Sequence, residues 1–268
     1  MYFFPNTILQ KDFCVLSNIY LFSFVGDDDK SHVIVFANKT QSSKRMDVCL
    51  RAGKFVIQPS KTELLLGANI CQDLKWKEHI MDNKRSLLNQ LTSRLNGLQL
   101  ISRKAPFKTR LMVANGIYIS ALIYIIQLWG EKQDFLIKAL QVSQNKAARF
   151  TTKLSWFTPT RILMKQCNWL SVRQLVCYHT ILTIHKTIKS RVPKYFFNKI
   201  TSENTQNTRQ SVKFDDKFPG KTERTQASFC YRRAQFYNKL PIDIRTATSI
   251  QIFKRETRQW VLNNVPVE

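Results

Sequence analysis

WLSVRQLVCYHTILTIHKTI, residues 169–188, contains the clearest helix boundary in the chain. Ser171 and Gln174 have the spacing of a capping box, in which the serine hydroxyl accepts a hydrogen bond from the backbone amide three residues on and the glutamine side chain reaches back. A helix that begins here is predicted to run to about Ile188. It should end before Pro193, because proline cannot continue a helix.

Three further stretches upstream are predicted to be amphipathic or buried helices, because their apolar residues recur mainly at steps of three and four. The first has Asp73 as its predicted N-cap and apolar positions from Leu74 to Leu98. The second has Pro106 in its first turn and extends to about Trp129. The third covers residues 135–153, with Lys146, Arg149 and Lys153 sharing one face.

Strand signals are confined to residues 32–58. His32–Phe36 is a short apolar run, and Val48–Leu50 and Phe55–Ile57 flank a hairpin predicted to turn at Ala52-Gly53. The predicted fold class is therefore α+β, mostly α, with short N-terminal strands and a β-hairpin followed by a helical bundle and a small C-terminal helical unit.

The chain divides by composition into four predicted regions. Residues 1–70 contain the strands, residues 71–200 form a basic helical region, and residues 201–226 are a polar linker. Residues 227–268 form a C-terminal helical extension, with short helices expected near 228–239 and 250–261.

Charge is the strongest compositional signal. The 268 residues include 42 Lys and Arg but 18 Asp and Glu, for a net charge of +24 and a pI of about 10.0. Residues 83–202 hold 20 of these basic residues and two acids, Glu131 and Asp134, and no acid occurs from Phe135 to Ser202. Such a concentration indicates a polyanionic partner. A solubilising surface with no partner is the alternative.

Other classes of protein are less well supported by the sequence. The six cysteines form no CxxC pair, which favours buried reduced thiols. A zinc set of Cys167, Cys177, His179 and His185 has a spacing that fits no common site, so no metal is predicted. Residues 111–129 are uncharged and are predicted to form a buried core helix, with a single membrane span as the alternative.

Gly26-Asp-Asp-Asp29 follows an apolar stretch, as the metal-binding aspartates of a polymerase do. That chemistry needs another aspartate from a separate strand upstream, and only Asp12 precedes the cluster. The cluster is therefore interpreted as a solvated acidic turn, and no cofactor is predicted for this chain.

A series of short motifs extends from about Asp29 to the C-terminus. They are, in order, Leu65-Leu-Gly67, Asp73-Leu-Lys-Trp-Lys-Glu-His-Ile80, Phe107-Lys-Thr-Arg110, Leu128-Trp-Gly130, Leu140-Gln-Val-Ser-Gln-Asn-Lys-Ala-Ala-Arg149, Thr158-Pro-Thr160, Tyr237-Asn-Lys-Leu-Pro-Ile-Asp-Ile-Arg245 and Phe253-Lys254. With these motifs in this order, the chain resembles the end of the reverse transcriptases of jockey-like non-long-terminal-repeat retrotransposons.

The resemblance implies that Asp29-Lys-Ser31 and the strand at 33–36 lie downstream of the family's catalytic aspartate pair. The fingers, most of the palm and the Mg²⁺ site of the intact family enzyme would then be absent from this chain. What remains would correspond to the last palm strands (1–70), a thumb-like helical region (71–200) and the C-terminal extension (227–268).

The predicted function is that of a truncated reverse transcriptase fragment that binds nucleic acid without catalysis of its own. The partner would be a template–primer, element RNA, or an RNA–DNA or DNA duplex, and no membrane is expected. The residues predicted to contact phosphate are Lys84, Arg85, Arg94, Arg103, Lys104, Lys108, Arg110, Lys146, Arg149 and Lys153. Core packing is the expected role of Trp76, Trp129, Trp156 and Trp169, with stacking on bases as the alternative.

Besides a single-span membrane protein through residues 111–129, two alternatives to this binding function remain open at the level of sequence. One is an active RNA-directed DNA polymerase that uses Asp27 and Asp28. The other is a decayed gene copy with no selected role.

Overall fold

The fold is α+β and mostly α, as predicted. A computed structural model describes residues 13–16, 19–23, 33–36, 50–52, 55–101, 104–130, 134–194 and 236–267. Two compact units make up the chain, Met1–Asn89 and Gln90–Glu268. The acidic turn with Asp27 and Asp28, the predicted linker 201–226, Arg103 and most of the helix predicted near 228–239 lie outside the described residues.

Short antiparallel strands make up most of the first unit that is described. A three-stranded sheet has the order β1-β2-β3, and two hairpins, β4–β5 and β6–β7, follow. The strands are β1 (Phe13–Leu16), β2 (Ile19–Ser23), β3 (Val33–Phe36), β4 (Leu50–Ala52), β5 (Phe55–Ile57), β6 (Thr62–Leu65) and β7 (Ala68–Cys71).

Two of the predicted strand features are confirmed, and four strands were missed. The run at 32–36 forms β3, and the predicted hairpin forms as β4–β5. The turn predicted at Ala52-Gly53 is wrong, because Ala52 still belongs to β4 and pairs with Phe55. The strands β1, β2, β6 and β7 lie beyond the stretch 32–58 that carries the strand signals.

The missed β6–β7 hairpin turns at Leu66-Gly67, where both residues have positive φ (49° and 80°). A two-residue loop with both φ values positive matches the right-handed twist of the flanking strands, and glycine adopts this conformation without steric penalty. The register pairs Leu65 with Ala68 across the turn.

The first predicted helix is wrong at its start. Leu74 has a positive φ of 53° and is exposed, so Asp73 does not cap a helix. A five-residue π-helical segment, Glu78–Asp82, comes next. It contacts the β6–β7 hairpin, where the Thr62 hydroxyl donates to Glu78 Oε2 (2.6 Å). The helix itself, α1 (Leu87–Ile101), begins only after Asn83 in extended backbone has ended that segment.

The second unit is built from helices. Those after α1 are α2 (Phe107–Ala114), α3 (Ser120–Leu122), α4 (Ile126–Trp129), α5 (Asp134–Thr152), α6 (Thr160–Cys167), α7 (Val172–Ser190), α8 (Ile242–Arg245) and α9 (Ile250–Asn264). The helix α5 packs on α2, α6 and α7, and α4 and α9 also pack on α7.

The uncharged run at 111–129 is not one helix. A π-helical segment, Asn115–Ile119, joins α2 to α3, and the left-handed conformation of Ile125 (φ 47°) separates α3 from α4. One face of the run is buried, as predicted for a core element, through Ala114, Tyr118, Leu122, Ile126 and Trp129. Among the described residues, no helix is both long and apolar enough to span a membrane.

The capping box at the start of α7 is confirmed. The Ser171 hydroxyl accepts from the Gln174 amide (3.4 Å), and Gln174 Oε1 accepts from the Ser171 amide (3.0 Å). In the second turn of α7, Val176 approaches Gly130 so closely that a Cβ on Gly130 would lie 2.3 Å from a Val176 methyl carbon. A glycine is therefore required where the chain leaves α4.

The C-terminal helix α9 is also confirmed within a few residues of its predicted bounds. It packs on α7, where the Phe253 ring stacks on the His185 imidazole with 3.5 Å between centroids. The imidazole Nδ1 lies 3.3 Å from the Tyr237 hydroxyl, and both side chains are buried.

Candidate nucleic-acid interface

Basic side chains form a stripe on the exposed face of α5. With 100° of rotation per residue, Lys138, Lys146 and Arg149 fall within an arc of about 80°, and Lys153 follows as the first residue after the helix. The buried residues of α5, among them Leu140, lie on the opposite side of the helix. The core contacts of α5 thus direct Lys138 and Lys146 to solvent.

The charge on the helices α5–α7 is almost entirely of one sign. Residues 134–194 contain eleven Lys and Arg and a single acid, Asp134, whose carboxylate pairs with Arg173 at 2.7 Å. The exposed cations of this stretch are Lys138, Lys146, Lys153, Arg161, Lys165, Lys186, Lys189, Arg191 and Lys194. A surface of this kind attracts polyanions and raises their local concentration.

Two aromatic side chains protrude at the turn between α5 and α6. The Thr158 amide donates to the Ser155 carbonyl (3.1 Å), which closes a β-turn with Trp156 and Phe157 at its two central positions. Trp156 is 63% exposed and Phe157 is 91% exposed. Since burial of a large apolar side chain contributes about 1.5–3 kcal/mol, the fold gains little from Phe157.

Arg149 connects the end of α5 to this turn. Its guanidinium carbon lies 4.7 Å from the centroid of the Trp156 ring, a cation–π contact. The Nη2 atom of Arg149 donates to the Thr158 carbonyl (3.3 Å). The guanidinium therefore fixes the turn and orients the tryptophan ring.

Buried amide side chains set the position of α5 against the segment that leads into α7. Gln141 Nε2 donates to Gln144 Oε1 (3.0 Å), and Gln141 Oε1 accepts from the Val172 amide (2.8 Å). Gln144 Nε2 donates to the Leu170 carbonyl (2.9 Å). Next along the helix, Asn145 Nδ2 donates to the Thr160 hydroxyl (2.8 Å) at the start of α6.

Most of the predicted phosphate contacts are on the surface of their own unit. In the first unit, Lys84 and Arg85 are exposed. In the second, Lys104, Lys108, Lys146 and Lys153 are exposed and Arg149 is half-buried. Arg94 is exposed too, but its Nη1 donates to the Ile117 carbonyl (2.8 Å), which ties part of the guanidinium to the protein.

Arg110 is a correction to the predicted set. Its side chain is only 6% exposed. Its Nε donates to the Thr151 carbonyl (2.8 Å), and its Nη1 donates to the Ala105 carbonyl. The guanidinium thus joins α2 to the end of α5 and is not available to a phosphate.

Several surface residues were not singled out from the sequence. Arg161 and Lys165 lie one turn apart on the exposed face of α6, and Lys186 and Lys189 are exposed on α7. The acid-free stretch indicates that this region is basic, but a count of charges does not show which side chains are exposed. The exposed position of Trp156 also differs from the predicted core role.

The other tryptophans match the core prediction more closely. Trp129 is 1% exposed and Trp169 is 7% exposed. The Trp169 indole nitrogen donates to Asn115 Oδ1 (2.7 Å), so its polar edge is satisfied inside the unit. Trp76 is half-buried in the first unit.

The cysteines and histidines considered for zinc do not form a cluster. Among the residues that the structure describes, no group of three His, Cys, Asp or Glu side chains is placed to hold a metal ion. Burial raises the pKa of the Cys167 and Cys177 thiols to about 12. Burial, with a nearby lysine in each case, lowers the pKa of His179 and His185 to about 4.

Comparison of the chain with protein-family models, with curated proteins and with solved structures gave no match. The reverse transcriptase resemblance therefore stays a prediction. What bears on function is the charge and geometry of the second unit.

Proposed function

We propose that the chain binds nucleic acid through the exposed cations of α5 and α6, which contact the phosphate backbone. The observation that carries this proposal is the distribution of charge on α5. The cations lie opposite its buried face, and the single acid of residues 134–194 is paired to Arg173. A polyanion with closely spaced charges matches such a surface.

The spacing of the cations suits an extended ligand. Lys138 and Lys146 are separated by about 12 Å along the helix axis, at 1.5 Å of rise per residue. Lys153 follows directly after the end of α5. A small anion would occupy one of these positions. A nucleic-acid strand, with its charges repeated along its length, would contact several together.

The motif resemblance supports the same ligand class. It relates this region to the thumb of a reverse transcriptase, and we propose that the bound nucleic acid is a template–primer or element RNA. The proposal concerns binding alone, and contacts to phosphate would position the strand with little dependence on its sequence.

A salt titration tests this function. The full-length chain is mixed with a labelled oligonucleotide, and binding is followed by fluorescence anisotropy over about 50–500 mM salt. If four phosphates are neutralised, the slope of log affinity against log salt should be about −3.6 on duplex DNA or −2.8 on a single strand. A slope near zero would refute phosphate-directed binding.

Charge-removal variants locate the surface. Lys146→Gln combined with Lys153→Gln should reduce the magnitude of the slope by about 1.4–1.8. The matched control is Lys254→Gln with Arg255→Gln on α9, which removes the same charge at exposed positions where Glu256 already pairs with Arg255 (2.9 Å). An equal loss in both double variants would mean that binding follows net charge and that α5 is not the site.

A further inference from the structure

We infer that the exposed pair Trp156–Phe157 at the α5–α6 turn stacks on unpaired bases, so that the ligand of this surface is single-stranded nucleic acid. This inference rests on the nucleic-acid binding proposed above and specifies its substrate class. It depends on three observations: the exposure of two adjacent rings, the way they are held, and the charge around them.

The exposure of the rings is not explained by the turn. The central positions of β-turns are commonly occupied by Gly, Pro, Asn, Asp and Ser, which suit the backbone geometry or bond to it locally. Trp156 and Phe157 provide neither benefit, and the unit does not bury them, at 63% and 91% exposure. Two large aromatic faces are therefore presented to solvent side by side in sequence.

The turn is held in place before any ligand arrives. Its closing hydrogen bond is 3.1 Å, and the Phe157 amide lies 3.4 Å from the Ser155 hydroxyl. Arg149 reaches from α5 to both the Thr158 carbonyl and the Trp156 ring. Because the guanidinium contact leaves the ring 63% exposed, a base has aromatic surface to stack on.

The surrounding charge distinguishes the ligand. Lys146, Lys153 and Arg161 are exposed near the turn in sequence, on the last turns of α5, just after it and at the start of α6. A basic surface that follows the backbone, combined with aromatic rings on which bases stack, is the arrangement that binds single strands irrespective of sequence. In a duplex the base faces are covered by neighbouring bases, so the same rings would have nothing to stack on.

The test compares one sequence in three forms, a single-stranded RNA and a single-stranded DNA of about 15 nucleotides and the corresponding duplex. The full chain carries Trp156→Ala with Phe157→Ala. We expect single-strand affinity to fall at least about tenfold and duplex affinity to be unchanged within the precision of the measurement. The salt slope should stay the same, because no cation is removed. A loss of affinity confined to RNA or to DNA identifies which kind of single strand the Trp156–Phe157 pair binds.

Two controls make the result specific. Phe135→Ala removes an exposed aromatic ring at the opposite end of α5 and should leave affinity unchanged. Phe157→Ala alone preserves the test if the double variant unfolds, because the almost fully exposed Phe157 ring contributes little packing. A Trp156→Phe variant retains an aromatic ring and should keep binding. It should lose the part of the change in intrinsic tryptophan fluorescence on binding that comes from Trp156.

Each contrary result has a distinct meaning. If the aromatic variant binds single strands like the wild type while the Lys146 and Lys153 variant does not, the stacking inference fails and the proposed function stands. If single-strand and duplex affinity fall equally, the rings do not select unpaired bases and the inference fails. Binding to phosphatidylserine vesicles is measured in parallel. If the aromatic variant loses only vesicle binding, the turn is a membrane contact and the stacking inference fails. If the wild type binds no oligonucleotide, both proposals fail.

Discussion

Gln144→Leu is expected to destabilise the second unit by about 2–4 kcal/mol. Gln144 is fully buried on α5 and uses both ends of its amide, accepting from Gln141 and donating to the Leu170 carbonyl. Leucine is similar in volume but has no polar atoms, so the Leu170 carbonyl would be buried without a partner. An unpaired buried group costs about 1–3 kcal/mol, and the lost bond from Gln141 adds about 1 kcal/mol. Gln141 keeps a second acceptor, Asn145 Oδ1 (3.0 Å), which limits the loss.

The measurement is urea unfolding of the full chain, followed by circular dichroism, together with a thermal melt. For a unit of this size, each kcal/mol lowers the Tm by about 2–4 °C, so the expected decrease is roughly 4–16 °C. The matched control is Gln166→Leu, the same exchange at an exposed position of α6, which should change stability by less than about 0.5 kcal/mol. Equal stability of the two variants would refute the role assigned to the amide network.

Three further outcomes are expected. Arg110→Met should lower stability by about 2–4 kcal/mol, since it leaves two backbone carbonyls unpaired. It should leave the salt slope of binding unchanged. Lys108→Met, by contrast, should leave stability unchanged and reduce the magnitude of that slope by at most about 1. Lowering the pH from about 7.5 to 5 should reduce the free energy of unfolding by about 2 kcal/mol for each of His179 and His185. Their pKa of about 4 in the folded chain lies below the value of 6.5 in the unfolded chain, so the unfolded chain alone takes up the protons and the loss begins below pH 6.5. In urea titrations at both pH values, His185→Gln should remove the contribution of His185. Leu66→Asn should raise stability by up to about 1 kcal/mol, because asparagine tolerates positive φ and the leucine is 82% exposed; a lower urea midpoint would contradict the turn assignment.

The helices whose ends carry local signals could be predicted from the sequence. The α7 helix begins at its capping box and ends before Pro193, and α5 differs from its prediction by one residue at each end. In both cases the information lies within a few residues of the boundary. A cap and an apolar stripe therefore suffice.

Breaks inside an apolar pattern could not be predicted in this way. The stretch from Leu74 to Leu98 has helical spacing, yet its first part forms a turn and a π-helical segment tied to the β6–β7 hairpin through Glu78. The run at 111–129 is likewise interrupted at Ile125. A contact with the hairpin accompanies the first break, and apolar periodicity indicates neither break.

The availability of individual cations is the part of the site that sequence could not supply, and the reason is physical. Arg110 and Arg161 are the same residue type in the same basic region, but one guanidinium bonds two backbone carbonyls in the core and the other is exposed on α6. A buried polar side chain such as Gln144 can hold α5 against the segment before α7 because it donates to a backbone carbonyl, that of Leu170. The outer face of α5 is then left to Lys146 and its neighbours. Arg149 shares both roles, since it bonds the Thr158 carbonyl while its charge lies over Trp156. Arg149 therefore holds the aromatic turn in position and also adds a positive charge beside it. For this reason Arg149→Lys should weaken single-strand binding more than Lys146→Gln does.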